Sequence, residues 1–344
     1  MVKDEAVAEE IPYLVQDIIP EQSVGVLAGL PQAHKTWVGL HLAYCIGTGN
    51  PFLGRFNINK TAPALYLAFE GSLPTLKRRV QKIIFEDAPN VLVWSVTGSL
   101  LYSGITAGMN NTQRETQSGV ASLTLKHITD VAKEAGVKLI VIDTFRASFV
   151  GNENDSGDVA NYLNKINKLQ ADTGASILLL HHTGKNTGES IDYHDSYKLI
   201  RGSSALVGSV DYVLGLQYDK ENSDPEVEDV LVLSQAKSRD APQQADLEIH
   251  MREEEGKIKF RSTFLESKID AREKEIRELI IAELTEFPKA YTTITQHPAR
   301  LGADGKIHRN IRERIIGKLT KEGIVYEQEG KCFVNKDKIG GEND

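Results

Sequence analysis

Cysteine is scarce in this chain: Cys45 and Cys332 are the only two, far apart and without the spacing of a metal site or a disulfide framework. That excludes a disulfide-built scaffold and fits a reducing compartment. No uninterrupted apolar run is long enough to cross a bilayer as a helix, so a helical membrane anchor is not expected. The opening residues, MVKDEAVAEE, are polar and acidic, unlike a secretory leader, and the expected location is the cytoplasm. An excess of basic charge is missing as well: 40 Lys and Arg stand against 48 Asp and Glu, a net charge of −8. A surface that attracts nucleic acid over its whole area is thereby excluded, and any such contact must be local. What remains is an ordinary globular balance, 40% hydrophobic and 26% charged over 344 residues, enough for one large core and a second small one.

The stretch from Val24 to Tyr44, VGVLAGLPQAHKTWVGLHLAY, is the most informative. An apolar run ends at Ala28, Gly29 opens a short loop, Lys35 and Thr36 close it, and an apolar helical pattern follows through Val38, Leu42, Cys45 and Ile46. Strand, loop and helix in that order match the nucleotide-triphosphate signature G-x-x-x-x-G-K-[ST], with His34 where its second glycine belongs. The chemistry asks for backbone N–H groups at the positive end of a helix, a lysine for the β- and γ-phosphates and a hydroxyl for Mg²⁺. Gly29, Pro31, Gln32, Ala33, His34, Lys35, Thr36 and Trp37 are the expected nucleotide-binding stretch, with ATP as ligand and the Trp37 ring in the core. A histidine fits the glycine position if its φ stays negative there.

Further apolar runs have the continuous character of parallel strands covered on both faces. They cover 64–69, 91–96, 139–142 and 175–180, and helical patterns separate most of them. Residues 100–119 are expected to be a loop or insertion, with the next helix from about Ala121 to Ala135. After 180 a polar stretch reaches Leu199, and a strand at VDYVLGLQY and a two-strand antiparallel edge (229–235 and 247–251) complete the unit. The alternation implies an α/β, mostly parallel, doubly wound sheet. Ligands of such sheets bind beyond the carboxyl ends of the strands. Gly29–Thr36, Glu70, Asp143 and His181–His182 all fall at such ends, and their convergence is the main argument for one site. Asp143, closing the apolar run LIVI, stands where a carboxylate holds Mg²⁺ beside a phosphate loop, with Thr36 as its partner.

A polar seam near Leu265 separates a smaller unit. A charged helix over 268–286, a short helix at 292–296, an amphipathic helix over 307–322 and a hairpin at Val325–Val334 follow in the order of a winged helix. The expected domains are therefore 1–265 and 266–338, with 339–344 as a disordered tail. One face of the 307–322 helix carries Lys306, Arg309, Arg312, Lys318 and Lys321, either a solvated side or a nucleic-acid contact.

The motifs GLPQAHKTW, LYLAFEG, LIVIDTF, ENDSGDVANYLNKINKL, ILLLHHTGK, RGSSALVGSVD and KSR resemble, as a set, those of RecA-like ATPases. The nearer resemblance is to the RepA-type hexameric replicative helicases of plasmids and phages, and it spans roughly residues 11–264. It implies a RecA-like fold with a small C-terminal winged-helix-like domain, and an ATP-hydrolysing DNA helicase that forms a homo-oligomeric, hexameric ring on single-stranded DNA. It implies Lys35 and Thr36 as the phosphate-loop pair, Glu70 as the residue that orients or deprotonates water, and Asp143 at the Mg²⁺. It implies His182, or else His181, as the γ-phosphate sensor, and Lys237 and Arg239 as cations reaching the neighbouring subunit's site; alternatively those two guard a sheet edge. In the loop 183–200, Lys185 and Lys198, with Arg201 just beyond it, would meet phosphates, and Tyr193 or Tyr197 would stack a base. Duplex DNA or a replication protein would meet the C-terminal unit. Two other classes stay open: a DNA-binding replication or partition factor that uses ATP as an assembly switch, and a metabolite kinase.

Overall fold

The computed structural model describes residues 12–84, 88–102, 111–183, 204–224, 226–239, 244–265, 268–286, 309–335 and 338. The chain divides into two compact units, Met1–Leu265 and Glu266–Asp344. The first opens with a ribbon of β1 (Tyr13–Val15) and β2 (Ile19–Pro20), followed by β3 (Val24–Gly29) and α1 (Lys35–Thr48). Next come β4 (Ala64–Ala68), α2 (Leu73–Ile83), β5 (Val91–Ser95), β6 (Leu101–Tyr102), α3 (Asn111–Glu134) and β7 (Leu139–Asp143). Then follow α4 (Phe145–Ser148), β8 (Phe149–Val150), α5 (Ser156–Thr173), β9 (Ser176–His182), α6 (Ser204–Ser209) and β10 (Tyr212–Asp224). The unit ends with β11 (Glu228–Ser238), β12 (Leu247–Glu254) and β13 (Lys257–Phe264).

The nine-stranded sheet runs β13-β12-β11-β10-β3-β9-β7-β4-β5. From β10 to β5 every pairing is parallel. From β10 outward to β13 every pairing is antiparallel. This is the mostly parallel, helix-covered α/β sheet that the alternating apolar runs imply. Because β3, β4, β7 and β9 are covered on both faces, their residues separate into two cores. One face buries Leu27, Tyr66, Val141 and Leu178 with α1 and α2; the other buries Val26, Leu67, Ile142 and Leu179 with α3 and α5. α1 is buried along nearly its whole length, which explains its lack of a polar stripe, and it stops at Gly49, whose φ is +82°.

Two elements depart from the sequence expectation. The helix expected from Ala121 begins at Asn111, inside the stretch expected to be loop or insertion. Thr112, Gln113, Glu115, Thr116 and Gln117 offer no apolar periodicity, but Gln and Glu tolerate an exposed helix well. The sheet also has one strand more than expected: β13 pairs with β12 in register from Leu247↔Phe264 to Glu254↔Lys257. Its sequence, KIKFRSTF, buries Ile258 and Phe260 in the alternating pattern of a half-covered edge strand.

The second unit contains α7 (Lys268–Glu286), α8 (Arg309–Lys321) and a hairpin of β14 (Val325–Gln328) and β15 (Lys331–Val334). Ile276, Ile280, Leu284, Ile315, Ile316, Leu319, Val325 and Cys332 form its core. The short helix expected at 292–296 and the tail at 339–344 lie outside the described residues. Cys45 and Cys332 are both buried and unpaired. No helix among the described residues is long and apolar enough to cross a membrane.

Candidate functional site

The loop between β3 and α1 is shaped by two left-handed residues. Leu30–Ala33 is a turn closed by the Ala33 N–H on the Leu30 carbonyl at 3.2 Å. Pro31 holds its second position and Gln32, at φ +71°, its third, which is the requirement of a type II turn. His34 then caps α1 at φ +57°, ψ +21°. The negative φ on which the fit of a histidine is conditioned is not what the loop has: it demands the left-handed conformation that a glycine would supply freely. The imidazole is held from outside, with Nε2 3.2 Å from Asp229 Oδ2 and its ring 5.6 Å from that of Tyr218. Burial lowers the His34 pKa and the Asp229 charge opposes that shift. His34→Gly and His34→Ala both lose the Asp229 contact, but only glycine relaxes the backbone. The glycine variant is expected to be the more stable of the two by about 1 kcal/mol, measured by urea denaturation.

Gly29 is needed for a reason apart from phosphate. A Cβ there would lie 2.4 Å from the Leu216 carbonyl of the adjacent strand.

Around the loop the carboxyl ends of three strands supply the remaining groups. β9 delivers His182, β7 delivers Asp143, and the chain leaving β4 delivers Glu70. Lys35 is 5% exposed, and its Nζ donates to the Gly29 and Leu30 carbonyls, each at 2.8 Å, and lies 3.2 Å from His182 Nδ1. Burial pushes its pKa down to about 8, against the raising influence of Asp143 and Glu70. The Thr36 hydroxyl donates to Asp143 Oδ2 at 2.9 Å, and the buried Tyr66 hydroxyl donates to the same oxygen. Desolvation raises the Asp143 pKa, opposed by those two hydrogen bonds, so a cation at this carboxylate would relieve an unfavourable burial. The Thr144 hydroxyl donates to Glu70 Oε1 at 2.8 Å. A cleft of about 650 Å³ joins these groups, lined also by Trp37, Thr75, Arg79, Tyr218 and Lys220.

Of the candidates from sequence, Lys35, Thr36, Glu70, Asp143 and His182 therefore meet at one cleft, together with Gln32, His34 and Trp37. Trp37 packs partly against the core and has the Arg79 guanidinium 6.0 Å from its ring centroid. His181 is 1% exposed and edge-on to Phe145, so of the histidine pair it is His182 that faces the cleft. Burial and the Lys35 charge lower the His182 pKa.

Lys237 and Arg239 lie elsewhere. Ser238 pairs with Tyr212, which pairs with Gly25 at the start of β3, the end remote from the phosphate loop. Lys237 Nζ donates to the Val207 and Val210 carbonyls, each at 2.7 Å, and Arg239 contacts Asp211 and the Gly208 carbonyl. Lys185, Tyr193, Tyr197, Lys198 and Arg201 lie outside the described residues. Arg309 and Arg312 fall on α8, in the other unit, with side chains outside what is described.

Sequence reasoning missed Tyr66, Thr144, Arg79, Tyr218 and Asp229. Thr144 and Tyr66 sit inside motifs already singled out, so a strand-by-strand register would have found them. Asp229 reaches the loop through the β10–β11 pairing, for which the sequence carries no local signal.

Residues 1–188 match the model of the family described as AAA domain. Among solved structures, the KaiC-like protein PH0186 from the hyperthermophilic archaeon Pyrococcus horikoshii OT3 aligns with a TM-score of 0.45 at 15% identity. The alignment covers 72% of this chain and 93% of that one.

Proposed function

The chain belongs to the AAA domain family of P-loop ATPases, and from that premise we propose that it is a ring-forming motor that hydrolyses ATP with Mg²⁺ and moves on single-stranded DNA. The observation that carries the motor is His182. It contacts Lys35 in the cleft, and two residues later the chain enters the stretch holding Lys185, Tyr193, Tyr197, Lys198 and Arg201. A residue placed to meet the terminal phosphate, followed in sequence by two lysines, an arginine and two tyrosines, would couple the nucleotide state to a strand-binding surface.

In this reading Lys35 and the N–H groups of the loop bind the β- and γ-phosphates. Thr36 and Asp143, hard oxygen donors already 2.9 Å apart, fit Mg²⁺. Bound there, Mg²⁺ supplies neutralisation of the charge that builds on the transferred phosphoryl group. Glu70, oriented by Thr144, aligns the attacking water and takes its proton. Lys237 and Arg239, at the other end of their strands, serve the cleft of the adjacent protomer. A head-to-tail interface of that kind closes into a ring, and six subunits are proposed. The C-terminal unit adds a contact to duplex DNA or to a replication protein.

The test is the ATPase rate with and without single-stranded oligonucleotide, alongside sizing of the protein with a non-hydrolysable ATP analogue. Several-fold stimulation and a ring-sized species are expected. A normal basal rate with no stimulation removes the motor and leaves the nucleotide site standing.

A further inference from the structure

A second cleft, of about 450 Å³, lies between α3 and α5 and shares no lining residue with the first. Leu100, Ala121, Leu125 and Leu169 give it an apolar floor. Its rim is basic: Lys126 and Lys133 stand on α3, Lys165 and Lys168 on α5. Two aspartates share that rim, and each is already engaged, Asp130 with Lys126 at 2.5 Å and Asp172 with Lys168 at 3.1 Å. Among the described residues Lys133 and Lys165 stand in no ion pair. In a chain of net charge −8, two such cations beside an apolar floor are complementary to an acidic segment with small apolar side chains.

The chain has such a segment, and it joins the fold beside the cleft. Residues 1–11, MVKDEAVAEEI, lie outside the described part. They set Asp4, Glu5, Glu9 and Glu10 against Lys3, with Ala6, Val7 and Ala8 between the two acidic pairs. Pro12, which follows, is fixed by the Glu21 N–H on its carbonyl at 2.8 Å. The Pro20 carbonyl, next along from Glu21, accepts from the Ser176 hydroxyl at 3.0 Å, and the Ser176 N–H donates to the Lys138 carbonyl at 2.9 Å. Ser176 lies just past the end of α5 at Thr173, and Lys138 just past the end of α3 at Glu134. Both helices, and the cleft between them, therefore come down to the place where Pro12 is held. From Ser118 to Lys133 the cleft runs about 22 Å along α3, at the helical rise. Eleven extended residues reach about 35 Å, enough to follow it from end to end.

We propose that residues 1–11 dock into the α3–α5 cleft of their own chain, with their carboxylates on Lys133 and Lys165 and Ala6–Ala8 over the apolar floor. The proposal does not depend on what the nucleotide cleft does. The full chain, without nucleotide, is treated with a carbodiimide, which joins a carboxylate to a lysine amine in contact with it and releases water. Peptides linking Asp4, Glu5, Glu9 or Glu10 to Lys133 or Lys165 are expected, in chains that still run as monomers on a denaturing gel. Cleavage by a glutamate-specific protease after Glu9 and Glu10 reads the same contact. Lys133→Glu together with Lys165→Glu should remove the links and speed that cleavage about fivefold or more, with a thermal melt like the parent's because both lysines are exposed. Adding Glu9→Lys and Glu10→Lys to that pair should bring linked peptides back with the partners reversed. Links confined to a dimer band would place the segment on a second copy and overturn the proposal. Links to lysines elsewhere, or no links with the parent cleaved as fast as the double variant, would overturn it as well.

Discussion

Lys35→Ala is expected to abolish nucleotide retention, with a loss of about 10² to 10⁴ in affinity. The estimate follows from two or so hydrogen bonds to charged oxygens at about 1.5–3 kcal/mol each, with 1.4 kcal/mol per tenfold. The effect is large because the ammonium is already in place. Its Nζ is buried against the Gly29 and Leu30 carbonyls and beside His182, at the loop itself, and exchanges those partners for phosphate oxygens when nucleotide binds. The same burial gives a pH signature. Desolvation pushes the Lys35 pKa down to about 8, well below an exposed lysine. Phosphate favours the charged form and raises that pKa, so binding takes up a proton above pH 8 and none well below it. Affinity should be level with respect to this group up to about pH 7 and fall as pH rises through 8. In Lys35→Ala that slope should vanish. Calorimetric titrations between pH 6.5 and 9.5 measure both effects, and a thermal melt without nucleotide checks that the variant is folded. Retention of nucleotide at the parent's affinity would remove the phosphate-loop assignment altogether.

The parts of this protein that were legible from sequence are those whose physics is local. β3 and its loop read correctly because an apolar run, a small-residue turn and a Lys-Thr pair lie within a dozen residues. Asp143 and His182 lie at the rim where the sequence placed them, because each closes a buried parallel strand that ends beside the cleft. His34 shows where local reasoning stops. A histidine is at ease only with negative φ, and the sequence leaves its backbone open, while the turn set by Pro31 and Gln32 and the anchor at Asp229 hold it at +57°. Asp229 is distant in sequence and arrives through hairpin register, which no single strand encodes. Lys237 and Arg239 were legible as a paired motif but not as belonging to the far end of the sheet, because that too depends on how β11 pairs with β10.

Glu70→Gln should separate binding from turnover. The side chain opens into the cleft from the chain beyond β4, with Oε1 held by the Thr144 hydroxyl at 2.8 Å and the Thr36–Asp143 pair in the same pocket. Glutamine keeps the shape and can still accept that hydrogen bond, but it cannot accept a proton from water. A positioned general base contributes about 10² to 10⁴ in rate, so kcat for ATP hydrolysis should fall by that much while nucleotide affinity changes by less than about threefold. Thr144→Ala, which frees the carboxylate without removing it, should lie between the two. The variant also bears on the competing account in which ATP serves only as an assembly switch. If hydrolysis drives movement, Glu70→Gln should assemble with ATP and stay assembled, and lose all oligonucleotide-stimulated turnover. If ATP acts through binding alone, the parent should already hydrolyse slowly and the substitution should leave DNA-dependent function intact. Parent-like turnover in Glu70→Gln would transfer the base to another group in the cleft, and Thr144→Ala would then be silent as well.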